Sequence, residues 1–256
     1  MSDEVAGYQD FEFDLPGALL ANLIKILDKI QKVPLTPAFV AHIPEEQGIY
    51  QLFLDEEPIY VGKTDDKAGL YRRLSRHSRK ILQRRGLDTS RVSFKAVRIY
   101  VFTAIDVEGD LIRHYGGVKG LGWNGSGFGS NDPGRERDTT KNKPDNFDYQ
   151  YPADIDIPLE LELPASAPAS IFIEKLKEGL SYTVRAQRGS SGRAYHADIV
   201  NSTVSGLAAP FTVREIVAHI TRQLPPGWQA TKLLGYVILY KEEKDYPQAE
   251  IIARSE

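Results

Sequence analysis

The sequence contains no cysteine. This excludes disulfide bonds, thiolate zinc sites, iron–sulfur clusters and a cysteine nucleophile. It also contains no apolar run near the roughly 20 residues that a membrane-spanning helix requires. Residues 1–14 are acidic and carry no basic segment, so we expect no secretory signal. Together these absences favour a cytoplasmic protein without a membrane partner.

Positive charge is concentrated in one segment, although the 256-residue chain has a net charge of only −3. Residues 60–100 contain twelve lysines and arginines and three aspartates, a local charge of +9 that leaves −12 elsewhere. Seven of the basic residues lie in 72–85, and that stretch has no acidic residue to pair with them. Because unpaired like charge destabilises a helix, the pattern favours binding of a polyanion over a solvated helix face.

The hydrophobic pattern predicts an α+β chain that alternates helices with short strands. The expected elements are a helix in 11–32, an extended segment from 39, a hairpin of 48–54 and 58–62, a basic helix over 70–85, a strand over 92–102 and a helix over 105–115 capped by Asp106. Residues 116–134 hold eight glycines and are expected to be irregular. After residue 168 we expect a helix (170–179), strands (181–188 and 194–201), a helix (212–224) and a strand (233–241).

These elements predict four regions. They are an N-terminal helical extension (1–44), an α+β domain (45–138), a linker or arm rich in Pro, Asp and Asn (139–168) and a small α+β module of unassigned role (169–256). The central domain carries the residues that point to chemistry.

Residues 48–124 contain the side chains that phosphodiester cleavage requires. Tyr50 and Tyr60 lie on adjacent strands beside glycines, Arg73 and His77 share one helix face, and Glu108 lies on the next helix. A carboxylate binds a hard divalent cation, a guanidinium binds phosphate, and a phenol or imidazole can transfer the proton of water. Each residue alone also fits a structural role, such as packing for a strand tyrosine or an ion pair for Glu108.

The order of these residues resembles the signature of the GIY-YIG nuclease superfamily. The matching elements are Gly48-Ile49-Tyr50, Tyr60-Val61-Gly62, Leu70-x-x-Arg73-x-x-x-His77, Glu108-x-x-Leu111-Ile112 and Trp123-Asn124. Val61, in place of isoleucine, is the one departure. The resemblance covers about residues 45–138 and implies a small antiparallel sheet flanked by helices.

A narrower resemblance is to the type II restriction endonucleases of this superfamily that cut CCGCGG. It lies in Asn124, Gly127-Phe128-Gly129 and Asn131-Asp132-Pro133-Gly134, and in the block 58–63. The chain departs from those enzymes in having only nine residues between the two tyrosines and in continuing beyond their expected end. These departures leave the DNA target open, because loops and added segments commonly determine specificity.

The resemblance implies DNA hydrolysis with one divalent ion, Mg²⁺ or Mn²⁺, bound by Glu108. It implies that Arg73 holds the scissile phosphate and that Tyr50 is the general base. The pKa of Tyr50 would have to be lowered by the metal and nearby cations, with its proton passing towards Lys63 or His77. Tyr60 would position water or phosphate, His77 would be a relay or a phosphate ligand, and Asn124 would hold the active-site loop together.

The expected partner is double-stranded DNA, contacted through arginines. The candidates are Arg72, Arg76, Arg84, Arg85, Arg135 and Arg137. For the last four, base readout and phosphate contact are equally open. A second basic stretch, Arg185, Arg188 and Arg193, is either a DNA-contacting turn or a loop. A palindromic target would require two active sites, hence a homodimer on DNA, and a restriction role would imply a separate methyltransferase.

Three functions follow from the sequence. The first is a restriction-like endonuclease that defends against foreign DNA such as that of phages. The second is a homing, repair or structure-specific nuclease directed by the C-terminal module. The third is a non-catalytic DNA-binding protein, which the complete set of site residues disfavours.

Overall fold

The computed structural model describes residues 11–64, 67–100, 107–129 and 143–256, together with Gly7. The fold is mixed α+β, as predicted. The chain forms two compact units: unit 1 comprises residues 1–74 and 90–121, and unit 2 comprises residues 75–89 and 122–256. In the part of the chain that is described, no helix is long and apolar enough to cross a bilayer.

Unit 1 contains a four-stranded antiparallel sheet with helices on it. Its elements are α1 (Leu15–Lys29), β1 (Val33–Pro34), α2 (Pro37–Val40), β2 (Gly48–Leu54), β3 (Glu57–Thr64), the first turn of α3 (Leu70–Lys80), β4 (Val92–Arg98), α4 (Val107–His114) and α5 (Gly117–Gly120). The strand order is β1-β4-β2-β3, so β3 is at an edge. Asp14 caps α1 by accepting a hydrogen bond from the N–H of Gly17 (2.9 Å).

The core of unit 1 lies between the sheet and two helices. Ile49 and Val61 of the hairpin pack in one cluster with Leu27 of α1 and Leu111 of α4, and all four are fully buried. A two-residue turn, Asp55-Glu56, joins β2 and β3, and Asp55 has a positive φ of 55° and pairs with Arg91 (2.5 Å). The register places Tyr50 opposite Gly62 and Leu52 opposite Tyr60. The two tyrosines are therefore diagonal neighbours on one face.

Unit 2 has its own sheet, of order β12-β10-β11-β7, and two small two-stranded pairs. Its elements, besides the rest of α3, are α6 (Phe147–Gln150), β5 (Pro158–Leu159), β6 (Ser166–Pro168), α7 (Ala169–Gly179), β7 (Thr183–Ala186), α8 (Ala197–Asn201), β8 (Thr203–Ser205), β9 (Phe211–Thr212), α9 (Val213–Arg222), β10 (Gln229–Leu233), β11 (Tyr236–Tyr240) and β12 (Glu250–Arg254). The core packs α7 and α9 against this sheet, with Phe172, Ile216 and Trp228 almost fully buried. Thr212 and Glu215 form a capping box that begins α9.

Four predicted elements differ in the structure. The basic helix ends at Lys80 rather than Arg85, because Gln83 adopts a positive φ of 54° and Arg84 forms a bridge with Ala153. The predicted strand 194–201 is replaced by α8 (Ala197–Asn201), because the His196 side chain accepts the Asp198 N–H and caps a helix. The extended segment from 39 begins within α2, and the glycine-rich segment contains α5. The proposed cap Asp106 lies outside the described residues.

The expected linker is part of unit 2 where it is described. Residues 143–168 contain α6, β5 and β6, and they bury Phe147, Ala153 and Ile155. The sequence of this region shows no hydrophobic periodicity, because short elements and single side chains make its buried contacts. Strands β10 and β12 were also missed, since Pro-rich and charged segments flank them.

Candidate active site

Two tyrosines face each other on the hairpin of unit 1. Their ring centroids are 5.9 Å apart with an interplanar angle of 31°. Tyr50 is almost completely buried and Tyr60 is half-buried. The hairpin register that follows from the GIY and YIG segments thus brings both phenols to one face of the sheet.

The two flanking glycines are required by close packing. A Cβ atom on Gly62 would lie 2.4 Å from the Tyr50 hydroxyl oxygen and 2.8 Å from Cε1 of Tyr60. A Cβ atom on Gly48 would lie 2.2 Å from the Val97 carbonyl oxygen. Each contact is far shorter than van der Waals distance, so the tyrosine pair depends on Gly62 in particular.

We expect Gly62→Ala to displace Tyr50 and destabilise unit 1 by about 1–3 kcal/mol, the usual cost of overpacking a core. Thermal unfolding followed by circular dichroism measures this effect. Gly122→Ala is the matched control, because a Cβ atom there meets nothing within 4 Å. Equal stability of the two variants would contradict the tight packing of Tyr50 on Gly62.

Glu108 of α4 is half-buried beside the edge strand. Its Oε1 accepts a hydrogen bond from the backbone N–H of Lys63 (3.3 Å). Lys63 is the cross-strand partner of Ile49, so strand alternation assigns it to the opposite face of the sheet from Tyr50. The structure therefore links Lys63 to the site through its backbone, and it does not favour the predicted proton transfer from Tyr50 to the Lys63 side chain.

The electrostatics of Tyr50 connect it to the other predicted residues of unit 1. Burial raises the pKa of Tyr50 well above its usual value, Tyr60 raises it further, Arg73 lowers it, and Glu108 contributes a smaller upward shift. Arg73 acts in the expected direction, but burial outweighs it. Without a metal ion, Tyr50 is therefore a neutral phenol at pH 7, and the lowering of its pKa by a metal and nearby cations stays a prediction.

Arg73 presents an unsatisfied donor at this site. Its Nε is buried and has no hydrogen-bond partner within the described ranges. A buried guanidinium N–H without an acceptor costs stability, and an anion that binds there would remove that cost. The preceding Arg72 differs, because it is exposed and pairs with Glu45 (3.2 Å).

His77 and Asn124 belong to unit 2. His77 is fully buried and stacks on Phe128 with ring centroids 4.7 Å apart. Such burial leaves no exposed surface for a DNA phosphate and disfavours the phosphate-ligand alternative, whereas the relay alternative stays a prediction. Asn124 is also buried, at 9% exposure, in the glycine-rich loop, where a role in holding the loop stays a prediction.

Three basic residues at four-residue spacing hold the glycine-rich loop and the segment after it. Arg76 donates to the Gly129 carbonyl oxygen (3.0 Å), and Lys80 donates to those of Gly127 (3.0 Å) and Phe128 (2.7 Å). Arg84 is buried and pairs with Asp148 (2.8 Å). The predicted DNA contact of Arg84 is therefore wrong, because its guanidinium is enclosed by protein. Lys80 is a structural residue that the sequence had not singled out.

Arg85 is the one of the four proposed base-reading arginines that the described residues show at the surface. Arg85 is exposed and lies near Asp154 (3.5 Å) and Asp156 (3.4 Å). Arg135 and Arg137 lie outside the described residues. Acidic residues distant in sequence thus offset part of the charge of 72–85, which local spacing had left unpaired.

The donor set fits a hydrated divalent ion bound by one carboxylate. No group of three or more histidines or acids suited to a metal occurs in the described part of the chain. Mg²⁺ commonly keeps several waters and binds through one or two carboxylates and substrate phosphates. Glu108 is therefore suited to hold such an ion together with water and a phosphate.

Comparison with known protein families and with curated proteins finds no match to this chain. The functional assignment depends on the site residues themselves. In unit 1 these are Tyr50, Tyr60, Arg73 and Glu108, with the backbone of Lys63.

Proposed function

We propose that this chain is an endonuclease of the GIY-YIG type that hydrolyses double-stranded DNA with Mg²⁺ or Mn²⁺. The observation that carries the proposal is the packing of Tyr50 against Tyr60, with ring centroids 5.9 Å apart, in the same unit as Arg73 and Glu108. The Arg73 Nε is buried and has no acceptor in the described structure, and the Glu108 carboxylate accepts a backbone N–H of the adjoining edge strand. Arg73 and Glu108 both influence the pKa of Tyr50, which is consistent with one shared site. These residues come from three segments of the sequence that the fold brings together. A structural role for each alone would not require the four to share one environment.

Arg73 binds the scissile phosphate in this proposal. Its buried Nε lacks an acceptor in the described structure, and a phosphate oxygen would supply one. A guanidinium binds phosphate with fixed geometry and stabilises the charge that develops as the bond breaks.

The phenols orient the reacting groups. Tyr50 is a neutral phenol at pH 7, since the ordinary tyrosine pKa is about 10 and burial raises it further. Its side chain is almost fully buried and hydrogen-bonds to Tyr60, so in the resting site it orients Tyr60. A role of Tyr50 as general base requires further positive charge beside it. Tyr60 is half-buried and positions water or phosphate. Glu108 would hold the metal ion, which when bound would neutralise phosphate charge and lower the pKa of water.

A restriction-like role fits the proposal best, given the sequence after Asn124. A palindromic target would then require a homodimer on DNA. The proposal also implies that a separate methyltransferase protects the host DNA and that the enzyme acts in the cytoplasm.

The direct test is incubation of purified protein with unmodified plasmid and phage DNA, with Mg²⁺ or with a chelator. Discrete fragments that form only with Mg²⁺ support the proposal, and sequencing their ends gives the target. Nicking confined to branched DNA would support the homing or repair alternative. Tight DNA binding without cleavage of any substrate would overturn the proposal in favour of a binding protein.

We expect Arg73→Ala to reduce kcat by about 10²-fold, as loss of one charge-stabilising donor does in other enzymes. Arg73→Lys should recover part of this loss, because it restores charge without the planar fork. Single-turnover cleavage of plasmid DNA measures both variants. Arg72→Ala is the matched control, since Arg72 is exposed and pairs with Glu45. Similar kcat values for the Arg72 and Arg73 variants would contradict the assignment.

A further inference from the structure

The segment that follows β7 in unit 2 forms a hydrogen-bonded turn. We call residues 187–196 the basic turn. Arg188 and Tyr195 form an antiparallel bridge, and the Gly189 N–H donates to the Ala194 carbonyl oxygen (2.9 Å). The Gly192 N–H closes the tip by donating to the Gly189 carbonyl oxygen (2.9 Å). The structure thus gives this stretch a defined turn, one of the two forms that the sequence left open.

The basic turn carries positive charge that no ion pair neutralises within the described ranges, although Arg188 is close enough to Glu174 to help lower the pKa of that carboxyl. Residues 179–197 contain three arginines and no acid. Arg188 and Arg193 are both exposed, and neither forms an ion pair with an acid in the described ranges. The nearby acid Glu174 is occupied by the Lys177 ammonium (3.5 Å) and by the Tyr195 hydroxyl.

Arg188 is held in one orientation. Its guanidinium lies over the Tyr195 ring, 4.1 Å from the centroid, and its Nη1 donates to the Arg193 carbonyl oxygen (3.0 Å). A guanidinium has five N–H donors, so one such bond leaves donors for a ligand. Ordering the side chain in advance reduces the entropy lost on binding.

We propose that the basic turn is a second binding site for the phosphate backbone of double-stranded DNA. The exposed tip consists of Ser190, Ser191, Gly192 and Arg193, which offer charge and hydrogen bonds but no large apolar side chain. Phosphate contacts need only such groups, whereas a stable protein interface needs an apolar or aromatic core. The choice of DNA over RNA rests on the proposed nuclease function. The site gives residues 169–256 the task of holding the substrate duplex.

Arg188→Ala/Arg193→Ala tests this site by fluorescence anisotropy on a labelled duplex of about 20 base pairs, with EDTA present to prevent cleavage. We expect about tenfold weaker binding and a slope of log K against log salt that is smaller by about 2, one for each lost phosphate contact. Arg193→Ala alone should lower the slope by about 1. That variant leaves the turn intact, since Arg193 contributes its backbone to it. Arg222→Ala, an exposed arginine on α9, should leave the slope unchanged.

The outcomes separate this proposal from the nuclease proposal. An unchanged affinity and slope in both variants would overturn the basic turn as a DNA site, even if Mg²⁺-dependent cleavage is found. If the variants show a reduced salt slope but the wild-type protein cleaves no DNA, the basic turn is supported as a DNA-binding site and the nuclease proposal fails. Tighter binding of duplex RNA than of DNA, with the same dependence on Arg188 and Arg193, would overturn DNA as the partner.

Discussion

Glu108→Gln is expected to reduce Mg²⁺-dependent cleavage of plasmid DNA by at least about 10³-fold, or about 4 kcal/mol of transition-state stabilisation. The amide keeps the size of the side chain and can still accept the hydrogen bond from the Lys63 N–H. It removes the negative charge that would hold the divalent ion. The expected result is therefore a folded protein that binds DNA and does not cleave it.

Asp110→Asn is the matched control for this variant. Asp110 lies on the same helix two residues further on and pairs with Arg113, so its loss removes a carboxylate from α4 without touching the site. We expect nearly wild-type cleavage from it. Thermal unfolding of both variants checks the fold, and DNA binding in EDTA checks the substrate site. Cleavage by Glu108→Gln at the level of Asp110→Asn would remove Glu108 from the mechanism and with it the proposed metal site.

The hairpin that carries the two tyrosines was predictable because its determinants are local. A nearly continuous apolar run in β2, the acidic turn 55–57 and the flanking glycines predicted two paired strands, and the structure gives their register. The register alone places Tyr50 beside Tyr60 on one face. Local spacing did not predict that Arg73 and Glu108 would both influence Tyr50, because α3 and α4 are separated by a strand in the sequence, and only the resemblance suggested a shared site.

The partners of the basic helix were not predictable, because they lie far away in the sequence. Glu45 precedes Arg72 by 27 residues, and Asp148 follows Arg84 by 64. A search of the sequence for acidic residues four positions away from each basic residue finds neither Glu45 nor Asp148. The basic residues of 72–85 therefore indicated one long DNA-binding face. In the structure some of them are exposed arginines, and others form hydrogen bonds and ion pairs that stabilise the fold.

The effect of burial on the pKa of Tyr50 was not predictable for a similar reason. Sequence places cations near a tyrosine, but it does not report how deeply the phenol is buried. In the folded protein burial is the largest influence on this pKa and outweighs Arg73. The protein alone thus keeps Tyr50 protonated, and any activation of this phenol must come with the substrate complex.

Arg84→Ala is expected to destabilise unit 2 by about 3–5 kcal/mol, because it leaves the Asp148 carboxylate partly buried without its partner. The Arg84 side chain is 2% exposed and its Nη1 also donates to the Tyr151 carbonyl oxygen (3.2 Å). Burial lowers the pKa of Arg84 although Asp148 opposes the shift, so the cost of desolvation is large. Urea unfolding measures the free energy of unfolding directly.

The adjacent Arg85 provides the control, since its side chain is 57% exposed and its ion pairs lie at the surface. Arg85→Ala should cost less than about 1 kcal/mol. The double variant Arg84→Met/Asp148→Leu should be more stable than Arg84→Ala, because it removes both buried charges. If Arg84→Ala instead unfolds like wild type and weakens DNA binding, then Arg84 is a DNA contact after all. A loss of stability with an unchanged salt slope of DNA binding assigns Arg84 to the fold and leaves DNA contact to the exposed arginines.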